Sequence, residues 1–319
     1  MFKEEYQKEM SEMKMSGEQK TRIVELMTAA PARKTGRAGR TILAAALACA
    51  VLVISALALS PGLREQLTAV LGEFEPYAQT VEESVCVKNG VEIRVISAMA
   101  DGSMVKVYAE ARDLEGDRLT AEMLKAEQDG QSTVQGFIVR DNTDPEDEER
   151  ITGSIIRARC VGFEETTGTA LLEFCNWGTF PSDLKEMELT VFSLWPKGIL
   201  MGETIEGENW EIPLTIETTA SRSISLSETV GSTKLKQLEL SALGLALFTE
   251  GVPPKELTVY LADGSQIQAT PDQGLGSRVT YWEFTDPVEI EHVVAVAFGQ
   301  WYIPLNADGT AGPGSWLSE

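Results

Sequence analysis

One histidine, His292, is the only imidazole in 319 residues. A general base or a zinc site ordinarily draws on more than that, because base, orienter and metal ligand are separate tasks. In EIEHVVAVAF, at the start of an apolar stretch, His292 reads as a structural residue at a strand end. Cysteine is scarce too. There are four, Cys49, Cys86, Cys160 and Cys175, and no C-x-x-C spacing that would hold zinc. Cys49 falls in an apolar run, and the three outside it cannot all pair with one another. Cys160 and Cys175 fall on neighbouring predicted strands and fit either a bridge or two buried free thiols. The sequence has no Gly-x-Ser-x-Gly elbow, no Walker loop and no dinucleotide fingerprint. The expectation is a protein that is not an enzyme and carries no cofactor or metal.

Weaker candidates for chemistry fare no better. The densest acidic run, DNTDPEDEE at 141–149, offers oxygens for Ca²⁺. It lacks the EF-hand spacing and its turn glycine, so it reads as a solvated loop. Carboxylate pairs for sugar hydrolysis are close in space rather than in sequence, and no spacing singles one out. Trp177, Trp195 and Trp316 are candidate carbohydrate contacts, although packing between sheets is the commoner use of tryptophan.

Charge is missing altogether from Thr41 to Leu59, TILAAALACAVLVISALAL. Nineteen residues of helix reach ~28 Å, close to the hydrocarbon thickness of a bilayer. The flanking basic residues Arg33, Lys34, Arg37 and Arg40 all precede it, and the next after it is Arg64. Basic residues beside a span stay on the cytoplasmic side, which predicts a single-pass membrane protein with its N-terminus in the cytoplasm and its C-terminal part outside. Ala56-Leu57-Ala58 fits a signal-peptidase site. However, the run is longer than a usual h-region and forty residues precede it, so an uncleaved anchor is the better reading. Ala46 and Ala50 have small-x-x-x-small spacing, which so alanine-rich a run produces anyway.

The two sides differ in charge. Residues 1–40 hold nine Lys/Arg and six Glu, a net of +3, and residues 60–319 hold 18 Lys/Arg and 43 Asp/Glu, a net of −25. So acidic a body repels nucleic acid and anionic lipid, which excludes a nucleic-acid partner. Its length suffices for two modest cores.

In the arm, Ser16-Gly17-Glu18-Gln19 reads as a capping box, and Ile23, Leu26, Met27 and Ala30 line one side of the helix that follows. Pro31 ends that helix. So short a helix is marginal alone in water and its stripe needs cover. Ile23, Leu26 and Met27 are therefore candidate partner-binding residues. The other reading is an anchor whose basic residues rest on anionic headgroups.

Beyond Pro61-Gly62, a short helix is expected over Leu63–Leu71, near the membrane. The period then changes. Val85–Val87, Asn89-Gly90 and Val91–Val95 make a hairpin with a type I′ turn signal. Met104–Ala111, Gly136–Arg140, Ile151–Cys160, Ala170–Cys175, Met187–Leu194 and Trp210–Ile216 continue as strands, with one helix at Leu119–Glu127. A second series runs through Ser221–Leu226, Leu235–Leu240, Gly244–Thr249, Leu257–Leu261, Trp282–Phe284, Val293–Phe298 and Trp301–Leu305. Short strands with Gly-rich turns indicate sandwiches rather than a parallel sheet. The expected fold is mainly β: two tandem Ig-like β-sandwich ectodomains after a single transmembrane helix and a short helical arm. The expected boundaries are an arm at 1–40, a span at 41–59, a membrane-proximal helix and linker at 60–77, and sandwiches at 78–218 and 219–319.

Several strings, taken in order, carry a family resemblance: SGEQKTRIVELM, the span, LSPGLREQLTAVLGEFEPYAQTVEESV, KNGVEIRVISAMADGSMVKVYAEARDLEGDRL and GENWEIPLTI. They resemble the Gram-positive single-pass membrane proteins of the domain of unknown function 4179 family, which are anti-sigma-factor-like. LTVYLADGSQIQA and FTDPVEIEHVVAVAFGQWYIPL are similar to the companion β-domain C-terminal to it. The resemblance implies that the arm controls an extracytoplasmic-function sigma factor while the outer domains sense the envelope through an unidentified extracellular ligand. The family supplies no catalytic or ligand residues. Zinc-binding anti-sigma domains use one His and two Cys in the cytoplasmic arm, and residues 1–40 contain neither type. A sigma contact here needs a different, short-helix mode. The alternative is a cell-surface binding or structural module with no signalling role.

Overall fold

Alternating apolar residues give most strands of this chain two distinct faces, and how those faces are covered determines the architecture. The computed structural model describes residues 60–317, apart from 82–83, 142–151, 181–185, 202, 253 and 270–278. The arm, its stripe Ile23, Leu26 and Met27, the basic flank Arg33, Lys34, Arg37 and Arg40, and the apolar run 41–59 lie outside the described residues. So does the acidic run, except for Asp141. Among the described residues, no helix is long and apolar enough to cross a membrane.

The first element is helix α1 (Pro61–Leu71). Ser60 caps it, its hydroxyl accepting from the Leu63 amide at 3.2 Å, and Pro61 supplies a preset first turn. Leu63, Leu67 and Leu71, spaced by four, form its buried face. A 3₁₀ turn, Gly72–Tyr77, follows. Then come β1 (Gln79–Thr80), β2 (Val85–Lys88), β3 (Val91–Ala100), β4 (Met104–Asp113), helix α2 (Glu122–Gln128), β5 (Val134–Asp141), β6 (Thr152–Glu164), β7 (Thr169–Thr179), β8 (Glu186–Leu194) and β9 (Trp210–Thr215). The Asn89-Gly90 turn between β2 and β3 has φ of 51° and 72°, the double positive φ that a type I′ turn demands.

Among the described residues these strands make a sheet ordered β1-β3-β4-β7-β6, with β2 beside β3, and a three-stranded sheet β5-β8-β9. Every pairing is antiparallel. One hydrophobic cluster joins the two sheets: Val105, Val107 and Phe174 from the first, Leu189, Trp210 and Ile212 from the second. Met123 of α2 packs into the same cluster.

The second series holds β10 (Ser221–Ser225), β11 (Thr229–Val230), β12 (Thr233–Ser241), β13 (Gly244–Glu250), β14 (Leu257–Leu261), β15 (Gln266–Ala269), β16 (Val279–Glu283), β17 (Val293–Phe298), β18 (Trp301–Pro304) and β19 (Ser315–Trp316). Sheet β10-β12-β13-β16, with β11 beside β12, shares a core with sheet β15-β14-β17-β18-β19 through Leu238, Leu247, Trp282, Val259, Val296 and Ile303. The chain is therefore mainly β, built from several antiparallel sheets. The described residues belong to one compact unit.

Two differences from the sequence expectation have physical causes, and the fold decides between the two readings of Cys160 and Cys175. Helix α2 begins at Glu122, three residues later than expected, and Leu119 is buried ahead of it. β15, QIQA, is too short for its alternation to announce it, and among the described residues it pairs with β14 alone. Cys160 belongs to the inner core of the first sheet and Cys175 to its opposite face. Both are free thiols, as is Cys86. Strand neighbours on opposite faces cannot bridge.

Candidate functional site

The outer face of the first sheet is where the described residues concentrate buried charge. On β4, Val105, Val107, Ala109 and Ala111 face the inner core, which turns Met104, Lys106, Tyr108 and Glu110 the other way. Register aligns them with Cys175, Glu173 and Leu171 of β7 and with Arg157 and Arg159 of β6. Protein covers much of this face, while Arg94 and Arg159 at its margins stay partly exposed. Helix α1 covers one part with Leu63, Leu67 and Leu71, and the outer face of β13 and β16 covers another with Ala246 and Tyr281. Gln66 of α1 donates to the Phe163 carbonyl at 3.1 Å. A Cβ at residue 162 would meet the flexible end of Gln66, so glycine there leaves that side chain room in its present position.

Within this seam lies an ion network. Lys106 pairs with Glu283 of β16, and Arg157 reaches the same carboxylate at 3.0 Å. Arg157 also stands 3.5 Å from Glu173, and Arg159 donates to Glu173 at 2.8 Å. The Tyr108 hydroxyl donates to the other oxygen of Glu173 at 3.2 Å. The Arg157 guanidinium lies 5.0 Å from the Trp177 ring centroid, and the Lys106 ammonium 5.9 Å from that of Phe74. Burial alone would push Glu283 up, but Lys106 and Arg157 outweigh it and hold the carboxyl below its ordinary range. Burial would push Lys106 down; Glu173 and Glu283 outweigh it and its pKa stands raised. Both partners are thus charged at neutral pH. Burial, with Glu173 beside it, pushes the Tyr108 phenol up, and burial pushes the Cys175 thiol well up, so both stay protonated.

A second fastening lies at the turn between β3 and β4. Asp101 is fully buried and accepts from the Ser103 amide at 2.6 Å, the Ser103 hydroxyl at 3.0 Å and the Met104 amide at 2.7 Å. Its other oxygen accepts from Ser241 of β12. The connection from β9 to β10 is pinned as well. Thr219 donates to the Ala100 carbonyl from its amide at 2.7 Å and its hydroxyl at 2.8 Å. The Glu217 amide donates to Gln79 at 2.7 Å. Phe74, just past α1, packs against both the seam and the second core. Chemically, the carboxylates, cations and hydroxyls of this region engage one another. The arrangement holds surfaces together.

A different kind of surface lies on the far sheet. β14, β15, β17, β18 and β19 contain no Asp, Glu, Lys or Arg. Their face turned away from the core presents Tyr260 and Tyr302, whose rings meet edge-on at 5.3 Å.

The residues singled out from sequence fall elsewhere. His292 is exposed at the start of β17, its Nδ1 2.9 Å from Glu289. Trp177 is 2% exposed and packs in the seam, which corrects its candidacy as an outward carbohydrate contact. Trp195 is half-buried and donates to Ser193 at 3.2 Å. Trp316 is exposed, edge-on to Trp301. Among the described residues no group of three or more His, Cys, Asp or Glu side chains could hold a metal ion. Sequence reasoning missed Lys106, Arg157, Glu173 and Glu283. The signal that could have found them is their place on the polar side of strands whose apolar side was already filled.

No family model matches the chain, and no curated protein matches it. A solved structure, the conserved domain protein from Bacillus anthracis, aligns at 15% identity with a TM-score of 0.45, covering 73% of this chain and 80% of that one.

Proposed function

We propose that the chain is a single-pass membrane protein of the kind the domain of unknown function 4179 family represents. In this reading residues 1–40 lie in the cytoplasm, 41–59 span the membrane, and the β-rich body lies outside as two tandem Ig-like sandwiches, 78–218 and 219–319. The arm binds an extracytoplasmic-function sigma factor through Ile23, Leu26 and Met27, and the body senses the envelope without catalysis.

One observation carries the reading: the charge-free run with basic residues on one side only leads directly into α1, which is packed into the seam of the body. Helix α1 begins two residues after that run and buries Leu63, Leu67 and Leu71 in the body. The test has two arms. Reporter fusions after residue 40 and at the C-terminus should report opposite sides of the membrane. A sigma factor should co-purify with the wild type and be lost with Ile23→Asp/Leu26→Asp; equal recovery from both would sink the signalling role.

The second reading, a surface binding module without signalling, draws on the uncharged outer face of the far sheet. Under it, deletion of residues 1–30 leaves the phenotype unchanged.

A further inference from the structure

In a chain with 24% charged residues, a five-stranded sheet with none stands apart. The sheet it packs against carries Arg222, Lys234, Lys236, Glu239, Glu250 and Glu283 in its strands. The uncharged sheet buries its other face normally: Leu257, Val259, Val296, Phe298 and Ile303 fill the second core. Register then fixes what faces outward. Tyr260 lies opposite Ala295, which lies opposite Pro304; Thr258 lies opposite Ala297, which lies opposite Tyr302. Gln266 and Gln268 on β15 stand opposite Tyr260 and Thr258. Ala295 and Ala297 are buried although they point outward, because larger neighbours cover them. The result is a floor of small residues beneath two half-buried tyrosines, flanked by exposed amides and by hydroxyls.

The chemistry of this face selects its occupant. An anionic polymer meets no cation here and is repelled by a body of net −25. A cationic peptide finds no carboxylate within the strands. An aliphatic protein surface or a second copy would call for several exposed Leu, Ile or Val; on these strands Val294 is the single exposed aliphatic side chain, and the outward positions around it hold Tyr, Gln, Thr, Ala and Pro. A neutral sugar chain offers what the face can use. Its apolar C–H faces suit aromatic rings, and its hydroxyls suit amides and hydroxyls.

We propose that the outer face of the sheet β15-β14-β17-β18-β19 binds a neutral glycan, with Tyr260 and Tyr302 stacking on sugar rings and Gln266, Gln268 and Thr258 hydrogen-bonding their hydroxyls. The biological setting rests on the surface-binding reading above; the binding itself requires neither the membrane topology nor a sigma factor.

The test is calorimetric titration of the full-length protein, in a polyoxyethylene detergent free of sugar headgroups, with the N-acetylglucosamine hexamer and with cellohexaose. Saturable binding of at least one is expected, weakened roughly 3- to 10-fold by Tyr302→Ala and by Gln268→Ala. Gln268 is exposed, so its variant tests the face even if Tyr302→Ala fails to fold. No binding of either probe at millimolar concentration overturns the proposal, and so does undiminished binding by Gln268→Ala together with every folded tyrosine variant. Tighter binding of polygalacturonate than of either neutral probe also overturns it. A dimer in sedimentation that Tyr302→Arg dissociates assigns the face to a second copy instead. A wrong topology shows in the fusion reporters and leaves this titration untouched.

Discussion

Ser241 donates a hydrogen bond to Asp101 across 140 residues of sequence, and the carboxylate that receives it is fully buried. Asp101 sits where β3 turns into β4, and Ser241 closes β12. The Ser241 oxygen also accepts from the Leu243 amide at 3.0 Å and the Gly244 amide at 3.2 Å. One hydroxyl thus organises a turn in the second sheet pair and clasps a turn in the first.

Removing the carboxylate strands two buried amides, so Asp101→Ala is expected to cost about 3 kcal/mol and Ser241→Ala about 1 kcal/mol. Urea denaturation of the full-length protein measures both. A change in Asp101→Ala below about 0.5 kcal/mol would show that the clasp contributes nothing.

Glu283→Gln removes the carboxylate paired with the nearly buried Lys106 and leaves it only Glu173 nearby, at an expected cost of about 3 kcal/mol. Adding Lys106→Met should restore much of that, because the underpaired ammonium is then gone. A double-mutant cycle by denaturation reads the coupling directly. Additivity of the two changes within about 0.5 kcal/mol would mean that the pair does not interact.

Asp113 supplies a pH signature. Hydrogen bonds from the Arg118 side chain, at 2.6 and 2.9 Å, hold its carboxyl at about 2, below the ordinary 3.8. A lowered folded pKa means that the unfolded chain takes up the proton first as the solution is acidified. The contribution is therefore complete above 3.8 and lost as pH falls through about 2. Arg118→Gln should move the Asp113 titration, followed by carboxyl carbon NMR, back toward 3.8, and an unmoved titration would contradict the assignment. The stability gap between the two proteins should close as both become protonated.

Strands were legible wherever one face was apolar. VCVKNGVEIRV announced its hairpin because alternation and Asn-Gly agree, and the turn has the φ values those residues favour. The seam was not legible. In MVKVYAEA, Lys106 and Glu110 alternate with valine and alanine as on any strand with one wet face. Only the arrival of Glu283, 177 residues later, turns that polar side into an interface. Local pattern cannot carry such information, since the covering element lies far away in the chain. β15 shows the complementary limit: four residues, QIQA, are too short a run to name as a strand from pattern alone, and pairing with β14 makes it one. The uncharged face was hidden for the same reason, because its Tyr, Gln and Thr residues come from separate strands.

Phe74 touches the seam and the second core, while Thr219 and Glu217 clip the crossover chain to Ala100 and Gln79. Mechanically, the two sheet pairs meet through buried charge, a buried hydrogen bond and shared apolar packing rather than through a bare linker. Cutting the chain at residue 218 would not free two beads from a string; it would leave each piece with a raw apolar wound.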